Sequence, residues 1–105
     1  YTVSKAGVLG LTLDLALELS SHQICVNAIL PGLIATGMTD ALAPPGMSTS
    51  EFHEMMGAQM VPMKRTGTPE DIGKAVLFYA STLSDYVTGD RMLVGGGSPL
   101  RHEFG

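Results

Sequence analysis

Two side chains at the start of this 105-residue chain, Tyr1 and Lys5, have the types and spacing that could do chemistry. Four residues apart, they fall on one face of a helix and can act on a shared ligand. A phenol ordinarily titrates near pH ~10, and a neighbouring ammonium favours the phenolate, which brings proton donation or abstraction closer to neutral pH. The ammonium can also donate hydrogen bonds to ligand hydroxyls. Taken alone, the pair is most simply a surface Tyr and Lys at a coincidental helical spacing, and Pro31-Gly32 alone is an ordinary strand-ending turn. Cys25 falls inside an apolar run and reads as an inert core thiol. His22, His53 and His102 share no ligand spacing with Cys25 or with paired carboxylates, so no metal site is expected. Asp14 and Glu18 are an i, i+4 acidic pair, read as a polar face or a subunit contact.

The elements that must position these residues follow from periodicity. From Thr2 to Leu19, leucines at 9, 11, 13, 15, 17 and 19 alternate as in a half-buried strand. A strand that long would far exceed the usual ~5 to 6 residues, and Leu, Ala and Glu without a β-branched run favour helix. The expectation is a helix packed on more than one side. Ser20, Ser21 and His22 break it, and Ile24 to Leu30 is a short apolar run suited to a strand covered on both faces, ended by Pro31 and Gly32. A long irregular stretch follows through Pro44, Pro45 and Gly46, and loops of that length tend to be functional. Ser48 and Glu51 have capping-box spacing, after which Phe52, Met55, Met56 and Met60 share one helical face. Thr68, Pro69, Glu70 and Asp71 give the clearest helix start, and Ile72, Ala75, Val76, Tyr79, Ala80 and Leu83 continue at helical spacing. Ser84, Asp85, Thr88 and Gly89 mark a turn before a last strand, Arg91 to Val94, and Gly95 to Gly97. Two strands with a helix between them predict a parallel crossover, and such a pair needs neighbouring strands to form a stable sheet.

Composition bounds the function. With 45% hydrophobic and 15% charged residues the chain suits one globular unit with a modest core. A net charge of -4 and no basic stripe disfavour nucleic acid. The apolar stretch from Ile29 to Thr39 contains Pro31, Gly32 and Gly37 and does not suit a membrane span. A single cysteine excludes an intrachain disulfide and fits a reducing compartment, so the cytoplasm is the default expectation. Because the chain opens on Tyr1 rather than Met, an excerpt of a longer protein is favoured over a processed product.

The ordered series gives these features their weight. Tyr1-Thr-Val-Ser-Lys5-Ala-Gly, then Val26-Asn-Ala-Ile-Leu-Pro-Gly-Leu-Ile-Ala-Thr36, then Arg65-Thr-Gly-Thr-Pro-Glu-Asp-Ile72, then Thr88-Gly89 resembles, in order and spacing, the second half of short-chain dehydrogenases/reductases. The resemblance runs from Tyr1 to about Gly97. It implies an α/β fold, the C-terminal part of a Rossmann-like doubly wound parallel sheet, with residues 1–105 as a C-terminal fragment of a single NAD(P)-binding domain. Tyr1 would be the general acid/base at the substrate oxygen, and Lys5 would bind the nicotinamide ribose and favour the phenolate. Pro31, Gly32, Ile34 and Thr36 would hold NAD or NADP, with Ile34 and Thr36 near the nicotinamide carboxamide or a phosphate. Gly37 to Met63 corresponds to the family's variable substrate loop, which makes Met38, Met55, Met56 and Met60 candidates to line an apolar cavity; packing against a neighbouring helix is the plainer account of any one of them. Asn27 resembles the family's structural strand asparagine.

The family usually carries an acidic residue where this chain has Gly95. The glycine-rich phosphate loop, the substrate-orienting serine and the relay asparagine would precede Tyr1, so the 105 residues alone are expected to turn over negligibly. The resemblance implies a homo-oligomer, dimer or tetramer, acting on a small-molecule carbonyl or secondary alcohol, and composition adds the expectation of a cytoplasmic protein with no nucleic-acid or membrane partner. Two other readings stand beside it: a noncatalytic relative serving as an oligomerisation scaffold, and a short binding protein that dimerises to cover its apolar faces.

Overall fold

The computed structural model describes residues 2–97. In chain order they form α1 (Thr2–Leu19), a 3-10 turn (Ser20–His22), β1 (Ala28–Pro31), α2 (Gly37–Asp40), α3 (Thr49–Met60), α4 (Pro69–Ala80), a second 3-10 turn (Thr82–Ser84) and β2 (Arg91–Val94). The order is that of an α/β chain. Two compact units are distinguished: the residues up to Leu30 with Lys74–Met92, and Pro31–Gly73 with the residues from Leu93 onward.

In the first unit, α1 resolves the ambiguity of its alternating leucines. Lys5, Leu9, Thr12, Ala16 and Leu19 recur at helical spacing; Thr12 and Ala16 are buried and the other three half-buried. The turn at Gly89, a glycine at φ +74°, lies against that face, where an added Cβ would sit 3.5 Å from Ala16 Cβ. Leu11 and Leu17 point elsewhere and are exposed, as is Val8, while Leu13, at the edge of the face, is exposed although its Cδ2 reaches the Gly89 turn. The sequence suggested packing on more than one side; among the described residues α1 packs on one. Thr12 stays buried because its hydroxyl donates to the Val8 carbonyl one turn back, at 2.8 Å. Gln23, at φ 61°, ends the segment in the left-handed conformation common at helix C-termini.

The strand expected from Ile24 begins later, at Ala28, and takes in Pro31. Two causes account for the shift. Upstream, side chains replace part of the ladder: the Val26 amide donates to Thr88 Oγ1 at 3.0 Å, and the Asn27 amide group donates to the Val87 carbonyl at 3.1 Å while its oxygen accepts from the Asp90 amide at 3.0 Å. Downstream, alternate residues carry the pairing, Ala28 N–H to Asp90 O and Gly32 N–H to Val94 O, both at 2.9 Å. Pairs advancing together along both chains make the ladder parallel, and Pro31 falls on the alternation that does not donate to β2, so its missing N–H costs the pair nothing. Cys25, expected in the core, lies outside the strand and is exposed, its Sγ 4.0 Å from the Asp85 carbonyl oxygen.

Beyond Pro31, in the second unit, the chain passes through α2 and α3 and returns. Residues Leu33 and Ala35 pair with Gly67 in a short parallel bridge, Gly67 N–H to Leu33 O and Ala35 N–H to Gly67 O, both at 2.9 Å. α3 starts on the anticipated capping box: the Glu51 amide donates to Ser48 Oγ at 3.1 Å and the Ser48 amide to Glu51 Oε1 at 3.4 Å. Phe52 and Gly57 are its buried residues. Gly57 is required by close approach, because a Cβ there would stand 2.6 Å from the carbonyl carbon of Arg65. Among the described residues no helix is long and apolar enough to cross a membrane.

Candidate functional site

Pro31, Gly32, Ile34 and Thr36, selected from sequence, line one wall of an open groove of about 460 Å³, and Pro69 and Ile72 of α4 line the other. Each wall has a local cause. At Gly32 the strand meets the glycine run after β2 so closely that a Cβ would lie 2.7 Å from Gly95 Cα. Any larger residue would prise the two segments apart, so Gly95, the departure from the usual acidic residue, faces Gly32 here. The bridge to Gly67 then holds Leu33 to Ala35 extended, and Ile34 and Thr36 reach the groove from alternate positions of that segment.

The opposite wall is fixed by the start of α4. The Asp71 amide donates to Thr68 Oγ1 at 3.3 Å, and the Thr68 amide donates to Asp71 Oδ2 at 2.8 Å, a reciprocal cap with aspartate in the role that glutamate more often takes. Arg65 closes on the same carboxylate with both guanidinium nitrogens, Nη1 to Oδ2 at 2.8 Å and Nη2 to Oδ1 at 3.2 Å. These donors, the Arg65 hydrogen bond first, hold the Asp71 carboxyl well below the usual carboxylate range, and the same contact raises Arg65. The charge of Arg65 is therefore spent on structure. Its side chain and that of Asp71 also border a second, more enclosed cavity of about 260 Å³, to which Ile34, Met63 and Gly95 contribute.

Four apolar side chains, a glycine and one hydroxyl make the larger groove suited to a flat, weakly polar ring: Pro31, Ile34, Pro69 and Ile72 offer surface to its face, and Thr36 a polar group to its edge. The donor set fits a nicotinamide. It offers no carboxylate or imidazole to a cation, and among the described residues no three His, Cys, Asp or Glu side chains gather as metal ligands.

The remaining sequence candidates fall elsewhere. Tyr1 lies outside the described residues. Lys5 is on the first turn of α1, half-buried on its packed face. Met38 belongs to α2, and its side chain lies outside the described set. Met55 and Met56 on α3 are half-buried and Met60 is exposed; none of the three lines either cavity, whereas Met63, just past the helix, lines the smaller. Sequence reasoning did not single out Pro69 and Ile72 as groove residues, because a cap motif announces where a helix starts and not what it faces. It also gave no sign that His53 Nε2 lies 3.1 Å from Asp40 Oδ1, since the turns between α2 and α3 separate them.

Comparison with known proteins gives a consistent result. A family profile described as enoyl-(acyl carrier protein) reductase matches residues 1–98. The chain is 44% identical over 97 residues to a 3-oxoacyl-(acyl-carrier-protein) reductase of Staphylococcus aureus, covering 92% of this chain and 37% of that protein. It is 44% identical to a human (3R)-3-hydroxyacyl-CoA dehydrogenase, again over 92% of this chain and 34% of the relative. Among solved structures, a short chain dehydrogenase family protein from Francisella tularensis superposes with a TM-score of 0.79 at 30% identity, over 95% of this chain and 43% of the other. A 3-oxoacyl-(acyl-carrier protein) reductase from Brucella melitensis gives 0.77 at 36% identity, over 92% and 34%. The chain thus spans little more than a third of the length of the curated relatives it matches.

Proposed function

The chain belongs to the short-chain dehydrogenase/reductase family, and from that premise we propose that the protein carrying it is an NAD(P)-dependent oxidoreductase that interconverts a secondary alcohol and a carbonyl. Residues 1–105 are then the C-terminal part of a single dinucleotide-binding domain. The observation that carries the reading is the groove: Pro31, Gly32, Ile34 and Thr36, chosen for the cofactor from sequence, line it together. The names of the relatives favour a 3-oxoacyl or 3-hydroxyacyl thioester within the carbonyl and alcohol class.

In this reading Pro31 and Ile34 support the face of the nicotinamide ring and Thr36 meets its polar edge. The bound nicotinamide supplies or accepts the hydride. Tyr1 moves the proton at the substrate oxygen, and Lys5, through its charge, favours the phenolate that makes this transfer possible near neutral pH. Met38, Met55, Met56 and Met60 belong to the substrate side, where unbranched side chains adapt to an acyl chain. The protein is a cytoplasmic homo-oligomer.

The test is nicotinamide absorbance in the intact protein, given NAD or NADP and a panel of alcohols and carbonyls that includes a 3-oxoacyl thioester, beside Tyr1→Phe. Turnover that falls by about 10²–10⁴-fold in the variant supports the proposal. Dinucleotide binding without turnover, unchanged by the substitution, would overturn it in favour of a noncatalytic scaffold.

A further inference from the structure

The segment between Thr36 and Gly67 is closed by a ring of polar ties that meets the groove at both ends. The Asp40 amide donates to the Thr36 carbonyl at 2.9 Å, the i→i−4 bond that closes the first turn of α2 directly after the groove segment. Asp40 Oδ1 then meets His53 Nε2 at 3.1 Å, which joins α2 to α3. One residue supplies the next link as well, since the His53 carbonyl accepts from Thr66 Oγ1 at 2.6 Å. Thr66 precedes Gly67, whose bridge to Ile34 returns to the groove wall. His53 is thus the member through which the helical excursion is fastened to both Thr36 and Ile34. Its side chain is mostly enclosed while that of Asp40 is 46% exposed, so the tie can open from the Asp40 side without disturbing α3.

We propose that His53 is a positioning residue: by holding Asp40, it keeps the first turn of α2 closed on the Thr36 carbonyl and so sets how well the Thr36 wall receives the ligand. The inference rests on the cofactor reading of the groove, and concerns a residue that touches neither cofactor nor substrate. Where His53 is lost, α2 loses the Asp40 tie to α3, the Asp40–Thr36 bond opens more often, and binding is weakened in proportion to the time spent open.

The experiment uses the intact protein and two readouts. Amide hydrogen exchange in His53→Ala is expected to rise by roughly two- to fivefold at Asp40 and Ala41, the range for a partly exposed tie, and to stay unchanged at Ala28 and Gly32 in the β ladder. Dinucleotide affinity should fall by a similar factor, with KM raised more than kcat is lowered. His53→Gln, which retains a side-chain donor, should recover most of both. Asp40→Ala should reproduce the effect, and the double variant should add little to either single one. Unchanged exchange at Asp40, or additive effects in the double variant, would overturn the tie. Faster exchange with unaltered dinucleotide affinity would overturn its role at the groove. A wild-type protein that binds neither dinucleotide would instead sink the cofactor reading, leaving the exchange of Asp40 to decide the tie alone.

Discussion

The loop-rich stretch from Leu33 to Gly67 and the long helix α1 invert the usual expectation about which part of a chain is self-sufficient. The irregular stretch completes itself: a capping box, the Asp40–His53 tie, a glycine pressed on backbone and a parallel bridge at its ends are all internal. The regular helix does not. Leu11 is 59% and Leu17 78% exposed, and each such leucine gains roughly 1.5–3 kcal/mol when fully buried, so much of α1's packing potential is unused among the described residues. Regular secondary structure satisfies the backbone, and it leaves the side chains to find cover. An excursion broken by turns has to satisfy both at once, from within.

The largest expected effect breaks the self-sufficient side. Gly57→Val drives a branched side chain into the Arg65–Thr66 backbone, and a loss of about 3 kcal/mol in urea unfolding of the intact protein is expected. A loss under about 0.5 kcal/mol would mean that α3 can lift off the Arg65–Thr66 backbone without penalty.

Next come two pH limbs, one from each unit. Asp71 has a folded pKa below its unfolded value, so in acid the unfolded chain binds more protons. Its contribution is present above the ordinary carboxylate pKa of ~3.9 and is lost as pH falls through the folded value. Asp71→Asn should flatten the fall of the urea midpoint below about pH 4 relative to wild type. Tyr79 runs the other way. Burial first, then the hydrogen bond to Asp90 Oδ2 at 3.1 Å, pushes its hydroxyl up to about 12. Its contribution is complete below the ordinary phenol value and is lost as pH rises from about 10 towards about 12. Tyr79→Phe should flatten that alkaline limb while leaving the acid one alone, and phenolate absorbance should show one tyrosine titrating late in the wild type.

The smallest effect is the most telling for the helix. In the 105-residue chain Leu17→Ala should change stability by no more than about 0.5 kcal/mol, as for a surface site. The same substitution in the intact protein, if α1 is covered there, should cost about 2–5 kcal/mol. Equal values in the two settings would show that nothing beyond the chain covers Leu17.

How much of this was legible in the sequence depended on how local the cause was. The span Thr2 to Leu19, the Ser48–Glu51 cap, the Thr68-Pro69 helix start and the strand Arg91 to Val94 all rest on neighbours within a turn, and each appears where its spacing put it. The start of β1 did not, because Asn27 and Thr88 settle it from opposite ends of the chain. Cys25 followed the same error to the surface. At the groove, the four residues taken from the Pro-Gly motif are close neighbours in sequence and stayed together, whereas Pro69 and Ile72 arrive from the far side of the excursion and could be placed only by folding. The Asp40–His53 contact has no sequence signature at all, since neither residue sits in a repeat, a cap or a helical pair.

The bridge between Ile34 and Gly67 has one more consequence. It brings the two ends of the excursion side by side, so the framework on either side is indifferent to how long the excursion is. Closing a flexible loop costs only about 0.6 kcal/mol more for each doubling of its length. Residues can therefore be added or removed at the turn around Pro44 to Gly46 while the Ile34–Gly67 bridge keeps its register, provided that Asp40 still reaches His53. Such a scaffold can acquire new specificity by splicing at one seam.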